Sequence, residues 1–189
     1  MLLRHVLLIA AFALTLSPAA HSDQRDDLNT LAKEKFSSWL NNPLVAKEII
    51  AQNVRTSGLS DNAVIKLDKQ WRAETDASSK PMIDATLANT LSKYLRSVKE
   101  SSEGLYTEIF VMDAKGLNVG QSDVTSDYWQ GDEAKWQKTF SMGAGAIHVG
   151  DIEMDESTQQ FQAQVSQSIV DASGKVIGAV TVGVNVDEL

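Results

Sequence analysis

The chain has 189 residues, with 25 Asp and Glu against 17 Lys and Arg and no cysteine. The missing thiols exclude disulfides, thiolate metal centres and cysteine catalysis together, and a net charge of −8 argues against nucleic acid or an anionic membrane surface as partner. A hydrophobic content of 43% in a chain of this length supports one core and one domain.

The apolar stretch at 6–16 (VLLIAAFALTL) is shorter than the about 20 residues a membrane-spanning helix needs. Arg4 precedes it, and Pro18, Ala19 and Ala20 lead to a small-residue site ending at Ser22. That order predicts a cleaved signal peptide over 1–22 and a periplasmic or secreted domain over 23–189; an uncleaved membrane anchor is the other reading. Asp23, Asp26 and Asp27 suit a helix start, where acidic groups meet the positive end of the dipole. Leu28, Leu31, Ala32, Trp39 and Leu40 then recur at helical spacing, Asn42-Pro43 interrupts them, and Leu44, Val45, Ile49 and Ile50 resume. Ser60 is placed to cap a further helix with Ala63, Leu67 and Trp71 on one face. A polar linker at 75–80 and one or two short helices over 81–99 bring the helical half to Gly104.

From Leu105 the period becomes two. Thr107, Ile109 and Val111 face one way and Glu108, Phe110 and Met112 the other. Asp113-Ala114-Lys115-Gly116 is a turn by composition, and 117–122 returns as a second strand. An insertion over 123–140 carries a short helix at 134–138, and strands follow at about 144–154, 161–171 and 175–186. The turns between these last three strands are Asp155-Glu156-Ser157-Thr158 and Asp171-Ala172-Ser173-Gly174. Short turns pair consecutive strands antiparallel, so the expected class is α+β: a long N-terminal helix, then a five-stranded antiparallel sheet.

The hairpin 108–119 (EIFVMDAKGLNV) and the closing strand 171–184 (DASGKVIGAVTVGV) resemble the extracellular PDC/Cache sensor domain, a PAS-like fold. Such domains occur on bacterial histidine kinases, chemoreceptors and diguanylate cyclases. The segments 39–43 (WLNNP), 67–71 (LDKQW) and 125–136 (TSDYWQGDEAKW) are similar to one single-Cache subgroup, and together the matches cover nearly the whole chain after the leader. The resemblance implies a sheet order 2-1-5-4-3, the long helix on one face, and a ligand pocket on the other face under the insertion. Receptors of this type carry transmembrane helices before the long helix and after the last strand. Here the expected leader is cleavable and the chain stops at Leu189, which predicts a sensor without its own output module acting in trans with a membrane-bound kinase, chemoreceptor or cyclase.

The chemically richest segment is 123–136. Tyr128, Trp129 and Trp136 lie there beside Asp127, Asp132, Glu133 and Lys135, and aromatic bodies with charged neighbours suit a pocket for a small polar metabolite. Lys135-Trp136 stands where such domains carry an Arg-x-Trp pair, and Lys lacks the guanidinium fork for a carboxylate. Trp129 and Trp136 suit equally well a role as core residues that hold the insertion onto the sheet. Asp151, Glu153 and Asp155 alternate on one strand; they could hold calcium or a cationic ligand, or serve as a charged edge that deters aggregation. The candidate ligand-binding residues are Tyr128, Trp129, Lys135, Trp136, Asp127 and Asp151. Gln162, Gln164, Ser166 and Ser168 form a polar row opposite Phe161, Ala163, Val165 and Ile169; such a row could line a wet pocket through side-chain hydrogen bonds, and the expectation for it is the solvent-facing side of the sheet. On the last strand Ala179, Thr181, Gly183 and Asn185 read as small residues under a close-packed helix.

No cofactor, metal or catalytic set is expected. His148 is the only histidine after the leader, and Gly-x-Ser-x-Gly, metal-hydrolase spacings and a phosphate-cradling glycine loop are all missing from the sequence. The competing class is a protein-interaction module with a vestigial pocket, whose N-terminal helix docks a receptor or a second copy as a homodimer.

Overall fold

The computed structural model describes residues 18–154 and 160–189. The apolar stretch at 6–16, with most of the expected leader, lies outside them, as does the turn at 155–158 with Asp155. The helical half consists of α1 (Pro18–Leu31), a π-helical stretch Ala32–Phe36, α2 (Ser37–Leu40), α3 (Pro43–Thr56), α4 (Asp61–Thr75), α5 (Pro81–Ala88) and α6 (Thr90–Glu100). The sheet half follows as β1 (Tyr106–Met112), β2 (Asn118–Gln121), α7 (Ala134–Gln137), a 3-10 turn Phe140–Met142, β3 (Ile147–Met154), β4 (Phe161–Val170) and β5 (Val176–Asn185). The five strands form one antiparallel sheet in the order 2-1-5-4-3, the order the resemblance implies.

Local chemistry accounts for most helix boundaries. Asn42 has extended backbone and its side chain accepts the N–H of Leu44, while Pro43 begins α3 where a missing donor costs nothing. Ser60 caps α4 through Ala63 N–H, and Asn89 caps α6 through Ser92 N–H at 2.7 Å. α1 starts earlier than the acids at Asp23, Asp26 and Asp27 suggest: it already runs from Pro18. Among the described residues no helix is long and apolar enough to cross a membrane.

The buried stripe of α4 is Val64, Asp68, Trp71 and Glu74, not the expected Ala63, Leu67 and Trp71. Two carboxylates face inward because each has main-chain donors to satisfy. Glu74 Oε2 accepts Met82 and Ile83 N–H at 2.7 and 3.1 Å, which caps α5 where Lys80 offers no side-chain cap. Asp68 does the same for the insertion, as described below.

Strand alternation sorts the sheet into two unlike faces. Ile109, Val111, Val165, Val180, Val182 and Val184 join Leu28, Phe36, Trp39, Val45, Ile49 and Leu95 from the helices in one large core. Register places Ile109 opposite Val182, and Val165 opposite Val182 from the other side. The second face carries Glu108 and Phe110 opposite Gly183 and Thr181, with Gln164 and Ser166 on the flank. A smaller core of Phe110, Met112 and Ala179 lies on it, covered by Trp136 and Phe140. The cover over Ala179 is thus α7 and the 3-10 turn of the insertion.

Candidate ligand-binding face

The polar row of β4 is the main correction to the sequence reading. Ser166 is fully buried, Ser168 is buried, and Gln162 and Gln164 are half-buried, because the segment after β2 folds back over that face instead of leaving it to solvent. Ser166 Oγ and Thr181 Oγ1 pair at 2.9 Å beneath it.

The insertion is held by main-chain bonds before any of its side chains act. Asn118 N–H donates to Tyr128 O at 3.0 Å, and Gln130 N–H donates to Gly116 O at 2.7 Å. Asn118 Nδ2 donates to Thr125 Oγ1 and Asp127 O. From the helical side, Asp68 Oδ1 accepts the N–H groups of Tyr128 and Trp129 at 2.9 and 3.0 Å, and Trp71 Nε1 donates to Thr125 O. Both insertion indoles donate to the β1–β2 turn, Trp129 to Lys115 O at 2.8 Å and Trp136 to Asp113 O at 3.2 Å. Gly131 permits this approach, since a Cβ there would lie 2.4 Å from Trp129 Nε1.

These contacts divide the expected site residues between two places. Tyr128 turns to the helices, stacked on Trp71 with centroids 5.4 Å apart, and burial pushes its hydroxyl up to about 12. Trp129 and Trp136 line a cavity of about 510 Å³ between α4 and the β1–β2 turn, with Val64, Ile65 and Ala114. Trp136 also stacks on Phe140 at 4.8 Å, so it serves the small core as well. Lys135, Asp127 and Asp151 face the sheet-side trough instead.

That trough is a chain of adjoining cavities that share Gln164. The outer one, about 480 Å³, is lined by Arg25, Glu133, Lys135, Lys138, His148 and Asp151 among others. An inner one of about 110 Å³ lies between the insertion and Glu108, Phe110 and Gln164, and a third of about 230 Å³ opens beside Asp151 and Glu153. Lys135 Nζ sits 2.9 Å from Glu133 Oε2, donates to Gln130 Oε1 at 3.2 Å and lies 5.3 Å from the centroid of the Phe110 ring. Asp127 receives Arg72 at 3.0 Å and a short bond from Gln130 Nε2. Glu108 accepts Gln164 Nε2 at 2.8 Å; burial holds its carboxyl above the usual range against the opposing pull of that bond and of Lys135.

The mouth is shaped by a β-bulge. Gly150 and Asp151 together oppose Gln164 between the pairs Val149–Val165 and Ile152–Ala163. Arg25 of α1 reaches this bulge, donating to Val149 O at 3.2 Å and pairing with Asp151 at 2.5 Å. His148 beside it is held below the usual imidazole range, first by burial and then by Lys138 and Arg25, with Asp151 opposing.

Glu108, Gln164, Gln130 and Arg25 were not among the expected site residues. Strand alternation already put Glu108 on the face opposite Ile109 and Gln164 in the polar row; the resemblance implied a covered pocket on one face of the sheet, but alternation alone did not tie these two residues to it. Arg25 lies beside the expected cleavage point, and nothing local marks it as a partner of a strand far along the chain. Among the described residues no three His, Asp or Glu side chains form a metal-holding group.

No protein-family model and no curated protein matches this sequence. Several solved structures are similar to it. The sensory domain of the Campylobacter jejuni chemoreceptor Tlp3 is 12% identical over 89% of this chain and 65% of its own, with a TM-score of 0.40. The sensor domain of the Vibrio cholerae histidine kinase DctB is 16% identical over 90% and 56%, with a TM-score of 0.38. The ligand-binding domain of the Pseudomonas aeruginosa amino-acid chemoreceptor PctC, in complex with GABA, is 11% identical over 87% and 61%, with a TM-score of 0.41. This chain therefore spans less than two thirds of each of those domains. What it binds has to come from its own residues.

Proposed function

We propose that this chain is a non-catalytic, Cache-type ligand-binding sensor domain that captures a small polar metabolite in the trough between its sheet and the insertion. The observation that carries this reading is the convergence of Glu108, Gln164, Lys135, Asp127 and Asp151, from three strands and the insertion, on adjoining cavities of about 110 and 480 Å³. A half-buried row of amides and charges beneath a cover tied down by main-chain bonds is costly unless it serves an occupant, because each polar group there gives up water. The leader-like start and the Cache resemblance support an exported domain that reports to a membrane-bound kinase, chemoreceptor or cyclase. Arg25 supplies a route: it ties α1 to the bulge at the mouth, so an occupant that competes for Asp151 changes the contacts of that helix.

The test is a thermal-shift screen of the whole chain against amino acids, organic acids, amines and nucleosides. A hit that disappears in Gln164→Leu, with circular dichroism unchanged, supports the trough as the site. A panel of that breadth with no hit, or a hit indifferent to Gln164→Leu, removes it.

A further inference from the structure

Building on the trough as the ligand site, we infer that it selects a small organic cation, a protonated amine or quaternary ammonium, anchored by the Glu108 carboxylate against the ring of Phe110.

The argument begins with which acids already have partners. Asp127 has Arg72 at 3.0 Å, Glu133 has Lys135 at 2.9 Å, Asp151 has Arg25 at 2.5 Å, and Asp123 has Lys99 at 2.7 Å. Glu153 is exposed to water. Glu108 differs from all of them. It is half-buried on the covered face, its polar contact is the neutral amide of Gln164, and among the described residues no cation lies within ion-pair distance of it. An ionised carboxylate removed from water without an ion-pair partner is unfavourable; it can be relieved by taking up a proton or by a positive charge delivered to it, and a cationic ligand supplies the second.

The surroundings fit that charge. Glu108 and Phe110 are alternate residues of β1, so both project to the same face, and both line the inner cavity. Opposite Glu108 stands Gly183, where a Cβ would meet Thr107 Oγ1 at 2.3 Å and Glu108 Cγ at 2.8 Å, so only glycine leaves the glutamate its position. The ring of Phe110 already carries a cation at 5.3 Å, so positive charge is tolerated against it. That cation, Lys135 Nζ, is held to the insertion by Glu133 and Gln130, and its charge is matched by Glu133. The uncompensated charge of the inner cavity is therefore negative. A ligand carboxylate would come up against Glu108 and find the nearest ammonium already paired; a ligand ammonium would meet Glu108 on one side and the aromatic ring on the other.

Four probes of similar size separate the possibilities: propylamine and choline as cations, propionate as an anion, alanine as a zwitterion. Isothermal titration of the whole chain is expected to show binding of the cations and none of propionate, with at least tenfold weaker cation binding in Glu108→Gln. Gln keeps the bond to Gln164, and Phe110→Leu, which keeps an apolar side chain, gives a second readout by weakening choline more than propylamine. Cation binding unchanged in Glu108→Gln overturns the inference. So does preferential binding of propionate or alanine, in which case the trough remains a ligand site of another class. Failure of every probe removes the cation inference while the broader screen still decides the trough.

Discussion

Asp68 ties the insertion to α4 through two main-chain N–H groups, and its removal gives a magnitude that can be checked. Its Oδ1 accepts two main-chain N–H groups, those of Tyr128 and Trp129, while Oδ2 pairs with Arg72 at 2.7 Å. The ion pair contributes little, because the Arg72 side chain is 52% exposed and exposed pairs are worth about 0–1 kcal/mol. The two N–H groups decide the outcome: a buried donor left without an acceptor costs roughly 1–3 kcal/mol. Tyr128 and Trp129 are half-buried, so water can replace part of what is lost and the lower half of that range applies. Asp68→Ala is therefore expected to cost about 3 kcal/mol, a large fraction of the 5–15 kcal/mol typical of a whole domain. Asp68→Asn keeps an acceptor oxygen for both donors and should cost about 1 kcal/mol, and Arg72→Ala less than that. Urea unfolding followed by tryptophan fluorescence reads all three, since Trp71 and Trp129 report on the contact. Asp68→Ala within about 0.5 kcal/mol of the parent chain, or no worse than Arg72→Ala, would refute the assignment of the capping role.

Gly183→Ala should lower the melting temperature by roughly 2–12 °C, the equivalent of about 1–3 kcal/mol of overpacking in a chain of this size, since its Cβ would collide with Thr107 Oγ1 and Glu108 Cγ; an unchanged melt by circular dichroism contradicts the tight approach at β1. Glu108 predicts a pH dependence. A carboxyl whose value is raised by folding contributes stability that is complete below its ordinary value of 4.5 and is lost as pH rises through the raised one. Glu108→Gln is accordingly expected to be more stable than the parent at about pH 8, with the gap closing by about pH 4; urea midpoints at both values measure it, and an equal gap at both would show that Glu108 carries no such shift.

The elements that could be read from the sequence are those whose cause is local. The turn at Asp113 to Gly116 is written in its composition, and Asp113 Oδ1 indeed accepts Lys115 and Leu117 N–H there. Asn42-Pro43 marked an interruption that left a kinked helix or two helices in series open, and α3 starts there; Ser60 announced the start of α4 for the same reason. Alternation sorted the two faces of β1, β4 and β5 apart from Thr107, because period two is a property of the strand itself; an irregularity between Tyr106 and Glu108 breaks that period and turns Thr107 to the side of Gln162 and Glu108 instead of Ile109. What could not be read was what each face meets. The row of Gln162, Gln164, Ser166 and Ser168 looks like solvent-facing sheet until the insertion is seen across it. Asp68 and Glu74 look like the wet side of α4 until their main-chain partners, far along the chain in one case, are in place. The aromatic cluster of the insertion shows the same divide: composition located it, but the indole N–H bonds to Lys115 O and Asp113 O, and the stacking of Tyr128 on Trp71, decide where each ring points.

Arg25 ties α1 to the bulge at the mouth of the trough, and the strength of that tie can be bounded. An exposed ion pair with Asp151 contributes at most about 1 kcal/mol, and the bond to Val149 O a similar amount. An occupant of the outer cavity that displaces Arg25 from both can therefore bias α1 by no more than about 2 kcal/mol, which is roughly thirtyfold in a two-state equilibrium. Linkage makes the effect reciprocal: Arg25→Ala, which loses both contacts, should leave stability within about 2 kcal/mol of the parent, and should change ligand affinity by at most the same thirtyfold. It should also abolish any ligand-induced change in amide exchange along α1, since Arg25 makes the contacts of that helix with the bulge among the described residues. If α1 responds to ligand in Arg25→Ala as it does in the parent chain, the signal passes through the packed core of Leu28 and Phe36 on the opposite face of the sheet, and the Arg25 contact is incidental.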